Sequence, residues 1–297
     1  MALALAEEFR GTVINADALQ CYRDLRILTA RPDAAAEARA PHRLYGYLDA
    51  GRRGSAGEWC RRARAEIAAA AAERRLPIVV GGSGLYLRAL TRGLAPIPEI
   101  PDRVSAEARA HHQAEGGARF RERLRALDPA AADALAAGDT QRLLRAYAVV
   151  LHTGRPLAQW RTEPHDAPAF RFATILLLPP RAELYAACDS RFRSMLEAGA
   201  LDEAAALAAR RLDPGLPAMK AAGLRELQHH LDRDLSLEAA VVAAQRATRR
   251  YAKRQITWFR HRSRPDLVIA EQFSEQLLPC LRHFINRSHL TCGARAD

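Results

Sequence analysis

Residues 76–86 read Leu-Pro-Ile-Val-Val-Gly-Gly-Ser-Gly-Leu-Tyr. A short apolar run that stops at glycines and passes into helical text predicts a buried parallel strand, its C-terminal loop and a following helix. The same grammar stands upstream, where Gly11-Thr-Val-Ile-Asn-Ala-Asp17 is a short apolar run ending in a carboxylate. Residues 2–9 read as helix, Arg43–Leu48 as a further strand, and Ala56 to about Arg74 as a helix. Strands alternating with helices predict a parallel α/β sheet. Ligands of such sheets sit beyond the C-terminal strand ends. Asp17 and the Gly81–Gly84 turn therefore share the edge where chemistry is expected.

Downstream the pattern breaks. Ala95-Pro-Ile-Pro-Glu-Ile-Pro101 places three prolines in seven residues, which marks a linker. From Asp102 to about Arg161 the text is helical only, with turn signals at Gly116-Gly117 and Asp128-Pro129. Phe170–Leu178, closed by Pro179-Pro180, returns to strand, and Asp266–Ile269 is a short strand candidate. The expected organisation is an α/β core over 1–98 and 167–297, interrupted by a helical domain over 99–166.

Composition narrows the partners. The 297 residues are 49% hydrophobic and 27% charged, enough for a globular core. No run approaches the ~20 apolar residues of a membrane span. The opening Ala-Leu-Ala-Leu-Ala has no basic start and meets Glu7 and Glu8 at once, so it reads as an amphipathic helix rather than a secretory signal. Forty-five Lys and Arg against 34 Asp and Glu give a net charge of +11, and only Lys220 and Lys253 are lysines. Genome composition explains the preference for arginine. It does not explain the excess of cations, which points to a polyanionic partner, nucleic acid first. The five cysteines, Cys21, Cys60, Cys188, Cys280 and Cys292, are scattered with no C-x-x-C, so reduced thiols in the cytoplasm are expected.

The helix over Ser236–Arg262 places Arg246, Arg249, Arg250, Lys253 and Arg260 on one face. Val241, Ala244, Tyr251, Ala252 and Phe259 fall on the other. A charged face is ordinarily just solvated. Five cations with no anion among them suit phosphate contacts, which give affinity and position without reading sequence.

Single motifs leave alternatives open. Asp17 could be a general base, a metal ligand or a helix cap. The Gly81–Gly84 turn could receive an anion at a helix N-terminus or be only a tight turn. The adjacent pairs His111-His112 and His229-His230 point apart on a helix and do not predict a shared metal.

The ordered combination is far more specific. Asn15-Ala-Asp-Ala-Leu-Gln-Cys-Tyr22 precedes Leu28-Thr-Ala-Arg-Pro32, Ala40-Pro-His-Arg-Leu44 and Val80-Gly-Gly-Ser-Gly-Leu-Tyr86. Asp139-Thr-Gln-Arg-Leu-Leu-Arg145 and Ala252-Lys-Arg-Gln-Ile-Thr-Trp-Phe-Arg260 follow. From residue 2 to about residue 286 the chain resembles the tRNA dimethylallyltransferase (tRNA isopentenyltransferase) family. The resemblance implies a P-loop-NTPase-like parallel core with an inserted helical domain. It implies transfer of a dimethylallyl group from dimethylallyl diphosphate to N6 of the adenosine 3′ of the anticodon, with Mg²⁺ and a flipped adenine. The implied partners are a tRNA anticodon stem-loop and the diphosphate, the implied state a monomer, and no membrane is involved.

By the same resemblance, Asp17 takes or orients the N6 proton, Ser83 places a hydroxyl near the adenine, and Arg191 holds diphosphate. The implied tRNA contacts are Asp17, Ala18, Leu19, Gln20, Ser83, Ser105, Gln141, Arg142, Leu143, Leu144, Arg145, Lys220, Gly223 and Arg225. Lys253, Arg254, Gln255, Ile256, Thr257, Trp258, Phe259 and Arg260 complete the set. Ala18 stands where the family usually has serine, and Ser105 where an arginine is common.

The family opens with a strand and a Gly-rich P-loop ending Gly-Lys-Ser or Gly-Lys-Thr. Neither lysine here follows glycine, since Met219 precedes Lys220 and Ala252 precedes Lys253. The expectation is a misassigned start with the P-loop encoded upstream, because the downstream text is locally consistent. The chain as written is then expected to be impaired in holding diphosphate. A catalytically inactive tRNA-binding relative and a transferase acting on free adenine nucleotides are the alternatives.

Overall fold

The computed structural model describes residues 1–163 and 170–288. The expected domain junction at 166/167, Cys292 and the tail beyond Ser288 lie outside the described residues. The chain divides into two compact units, Met1–Thr91 with Phe170–Asp297, and Arg92–Ala169.

The first unit opens α1 (Ala2–Glu8), β1 (Gly11–Asn15), α2 (Ala34–Arg39), β2 (His42–Arg43), α3 (Ala56–Ala72), β3 (Leu76–Val80) and α4 (Gly84–Arg92). Its three strands run parallel in the order β2-β1-β3. All five residues of β1 are buried, as a central parallel strand requires. Val13 and Ile14 are each at most 2% exposed and contribute about 1.5–3 kcal/mol apiece by burial. After the second unit the chain returns as β4 (Ile175–Leu177), α9 (Arg181–Glu197), α10 (Ala200–Ala209), α11 (Leu224–Leu231), α12 (Leu237–Arg262), β5 (Leu267–Ile269) and α13 (Leu278–Arg287). β4 and β5 pair in parallel as a separate two-stranded sheet. Leu5, Leu76, Ile269, Leu281 and Ile285 form one apolar cluster, against which Ile78, Ile175 and Leu177 pack.

The second unit holds α5 (Asp102–Arg125), α6 (Pro129–Ala134), α7 (Thr140–Thr153) and α8 (Leu157–Trp160). Gly116, at φ 74° and ψ 165°, kinks α5 where the glycine pair predicts a turn. Asp128 caps α6 by accepting the Ala131 N–H, with Pro129 at the first helical position. The core of this unit is Phe120, Leu124, Leu143, Ala146 and Tyr147 with their neighbours.

Two expected strands are shorter than their apolar text. Arg43–Leu48 does not continue as a strand past Arg43, because Leu44 and Gly46 take φ of 62° and 57°. Their backbone instead serves the neighbouring loop: the Leu44 carbonyl accepts from Asn15 and the Gly46 N–H donates to the Gln20 carbonyl. Of Phe170–Leu178, only Ile175–Leu177 pairs. The N–H of Thr174 is taken by the Asp266 carboxylate. The expected cation face of α12 is also corrected. Arg249 turns to Asp189 on α9, with Nη1–Oδ1 at 2.6 Å, so its charge is already matched.

Candidate active site

The site is built on the C-terminal edge of β1 and β3. Asn15 ends β1 and is fully buried, a polar residue directly after the apolar Val13 and Ile14. Its Oδ1 accepts the Asp17 N–H at 2.8 Å. Its Nδ2 donates to the carbonyls of Asp17 and Leu44, both at 3.0 Å. Short side chains that bond nearby backbone in this way hold a chain out of regular structure. The Asn15 carbonyl in turn accepts Trp59 Nε1 at 2.8 Å, and Trp59 stacks on Tyr86 with ring centroids 4.5 Å apart.

Asp17 is half-buried just past the strand end. Its Oδ1 accepts the N–H of Leu19 at 2.8 Å and of Gln20 at 3.4 Å. Among the described residues no hydrogen bond is made to Oδ2. Burial pushes the Asp17 carboxyl above the usual carboxylate range. The two backbone N–H groups and the Arg191 guanidinium pull it back in part. Tyr45 and Tyr251 are also raised, first by burial and then by the Asp17 charge, Tyr251 to about 12. Both phenols are therefore neutral around the carboxylate at physiological pH.

Ser83 closes the other side. Its Oγ accepts the Ala18 N–H at 2.8 Å, which leaves the hydroxyl proton free to donate. Its own N–H donates to the Ala16 carbonyl at 3.2 Å. Gly81 makes this approach possible, because a Cβ there would stand 2.2 Å from the Ala16 carbonyl carbon. The turn is therefore both a tight turn and a hydroxyl-bearing wall of the site.

The loop after Asp17 is braced from a distance. Gln20 Nε2 donates to the carbonyls of Thr29 and Ala30 at 2.8 and 3.2 Å. Glu203 on α10 accepts the backbone N–H groups of Arg26, Ile27 and Leu28 at 2.7, 2.8 and 2.9 Å. Arg210 bridges Asp24 and Asp49 at 2.6 and 2.8 Å. Sequence reasoning missed Asn15, Glu203 and Arg210. An amide side chain closing the apolar run of β1, two residues before Asp17, is the signal that could have found Asn15. Nothing local marks Glu203.

The α12 helix turns Arg250, Lys253, Arg254, Thr257, Trp258, His261 and Arg262 to an open groove. Arg246 and Arg260 are also exposed, while Ala240, Ala244, Gln245 and Ala252 are buried and Ile256 and Phe259 half-buried. Gln245 Nε2 donates to the Asp189 carbonyl at 3.1 Å. Lys220 and Arg225 are exposed. Gly223 is buried at φ 90°, where a Cβ would meet the Phe192 ring at 2.5 Å, so its part is to let two elements approach.

Within the helical unit, Gln141, Arg142 and Arg145 are exposed on α7 and Ser105 is half-buried on α5. Leu143 is fully buried and Leu144 packs against the same core. Any partner of α7 therefore meets its polar heads rather than these two leucines.

Among the described residues no three His, Cys, Asp or Glu converge on a metal position. His229 pairs with Asp234 and His230 with the Leu235 carbonyl, in different directions. No helix among the described residues is long and apolar enough to cross a membrane.

A parallel α/β core that carries a carboxylate, a hydroxyl and a cation beyond its strand ends, with a basic helix beside them, belongs to the class of α/β enzymes that act on an anionic substrate. The IPP transferase family model matches residues 20–262. A tRNA dimethylallyltransferase of Rhodospirillum centenum is 58% identical over 263 residues, covering 88% of this chain and 84% of its own length. One of Rhodospirillum rubrum is 50% identical, covering 98% and 91%. The crystal structure of a tRNA isopentenylpyrophosphate transferase from Bacillus halodurans superposes with a TM-score of 0.67 at 27% identity, covering 97% of this chain and 91% of that one. The chain belongs to the IPP transferase family.

Proposed function

We propose that this protein transfers a dimethylallyl group from dimethylallyl diphosphate to N6 of the adenosine 3′ of the anticodon in tRNA. The observation that carries the reading is the Asp17 carboxylate. One oxygen is tied down by two backbone N–H groups and the other is open, with the Ser83 hydroxyl held at the adjoining Ala18 and the Arg191 charge acting on the carboxyl. Family membership supports the same reaction, since its relatives in Rhodospirillum are named for it.

Adenine N6 is a weak nucleophile, because its lone pair is delocalised into the ring. In the proposed step that lone pair forms a bond to C1 of the dimethylallyl group and the C1–O bond to diphosphate breaks. The N6 proton passes to Asp17 Oδ2. A carboxylate pushed above its usual range by burial is a better base than one in water. Ser83, with its proton free, donates to a ring nitrogen of the adenine and orients it. Arg191 meets the charge that develops on the leaving diphosphate. The α12 groove and the exposed α7 heads hold RNA phosphates. Mg²⁺ belongs to the family resemblance; among the described residues no three His, Cys, Asp or Glu converge on a position for it.

The test uses labelled dimethylallyl diphosphate, Mg²⁺ and an unmodified, adenosine-rich anticodon stem-loop. It is run on this chain and on the same chain preceded by the family's strand and P-loop. Label on the adenosine is expected, with Asp17→Asn slower by about 10²–10⁴-fold. RNA binding without label from either protein would make this a tRNA-binding relative that modifies nothing.

A further inference from the structure

α12 reaches the catalytic turn through two half-buried residues. Gln255 Nε2 donates to the Gly82 carbonyl at 3.1 Å. The contact is close enough that a Cβ on Gly82 would stand 2.0 Å from that nitrogen. One turn further on, Trp258 lies over Gly84, the first residue of α4. One turn before Gln255 stands Tyr251, a phenol raised first by burial and then by the Asp17 charge. Between Gly82 and Gly84 stands Ser83, whose Oγ and N–H are the two bonds joining the turn to the Asp17 loop at Ala18 and Ala16. The outward neighbours Lys253, Arg254 and Thr257 line the open groove, and Trp258 borders both the groove and the turn. One helix thus carries the groove on its outer face and grips the turn with its inner face.

Resting on the function proposed above, we propose that Gln255 is a positioning residue that couples RNA seating on α12 to the placement of the Ser83 hydroxyl against the Asp17 loop. Gln255 itself touches no reacting atom. A rigid helix that bonds the Gly82 carbonyl transmits its own position to the hydroxyl of the next residue. Losing the amide donor leaves the Gly82 carbonyl unpaired and the turn free to drift from Ala18, while the groove keeps its cations.

The test compares Gln255→Met, which keeps length and packing without a donor, with Gln255→Glu and the parent. Single-turnover transfer at saturating stem-loop is read beside the RNA Kd. At saturating stem-loop Gln255→Met is expected to slow transfer about tenfold, a loss that remains whatever the change in Kd. Gln255→Glu has no donor while ionised and regains one when protonated. Its rate relative to the parent therefore rises as pH falls from about 8 to about 5, a trend that lost packing alone does not produce. Amide hydrogen exchange reads the coupling without catalysis, and Ala18 and Ser83 N–H are expected to exchange about tenfold faster in Gln255→Met. Parent-like transfer and exchange in Gln255→Met, a loss confined to Kd, or a pH-independent ratio in Gln255→Glu overturns the proposal. Absence of transfer by the parent both with and without the family's strand and P-loop before it refutes the proposed function instead, and the exchange rates then decide the coupling alone.

Discussion

Replacing Gly84 by alanine tests how tightly the groove helix is seated on the turn. The new Cβ would stand 2.4 Å from Cδ2 and Cε3 of Trp258 and 2.6 Å from Cε2. Carbon atoms in contact sit at about 3.5–4.0 Å, so the indole must retreat by roughly 1 Å. A bicyclic ring cannot yield at its tip as a flexible chain does; it moves as a whole. Overpacking of this kind costs about 1–3 kcal/mol. Alanine in a helix returns at most about 1 kcal/mol, and less at the first helical position. The net loss is about 1–2 kcal/mol. With an unfolding entropy near 2.1 cal/mol/K per residue, 297 residues give about 0.6 kcal/mol/K, so the midpoint falls by about 2–3 °C. Denaturant unfolding of the parent, Gly84→Ala, Trp258→Leu and the double variant completes a cycle. Leucine can give way, so Gly84→Ala in the Trp258→Leu background is expected to cost close to nothing, a coupling of about 1–2 kcal/mol. Equal costs in both backgrounds would falsify the steric argument.

The remaining predictions concern charge. In the proposed step Asp17 acts as the carboxylate, and burial raises its pKa, so the acid limb of kcat/KM against pH is expected above the ordinary value of about 3.9. Arg191 draws that pKa down, so Arg191→Ala moves the limb higher still; a limb at or below about 3.9, or a downward move, refutes the assignment. The sign for stability is the reverse of a salt-bridged carboxylate. With the folded pKa above the unfolded one, the stability Asp17 contributes is present below the unfolded pKa and lost as pH rises through the folded pKa. Asp17→Asn, which keeps an acceptor for Leu19 and Gln20, is therefore expected to melt no lower than the parent at pH 7 although it transfers poorly. On the groove, Arg250→Ala and Lys253→Ala each reduce the slope of log K for RNA against log salt by about 0.7–0.9. Arg249→Ala leaves the slope in place, because Asp189 already matches that charge. A slope change for Arg249 equal to that of Lys253 would show that it meets phosphate after all.

The sequence by itself determined the elements with a repeating or local cause. The apolar runs of β1 and β3 and the Pro and Gly punctuation of the helical unit obey rules of a few residues' range. So do the Ser236 cap and the apolar side of α12. The identity of Asp17 and Ser83 as partners on one sheet edge was legible too, because parallel strands deliver their C-terminal loops to the same side. Three things needed the tertiary structure. An apolar run does not say how much of it pairs, and Leu44 and Gly46 leave the strand because their backbone groups are claimed by Asn15 and Gln20. A helical wheel counts charges on one element only, so Asp189 on α9 could not be seen neutralising Arg249 on α12. The braces on the Asp17 loop join residues far apart in the chain, Glu203 to Arg26 and Gln255 to Gly82. No local pattern encodes such a contact; it exists only once packing has brought a donor and an acceptor, each unpaired in its own segment, within 3 Å or so of each other.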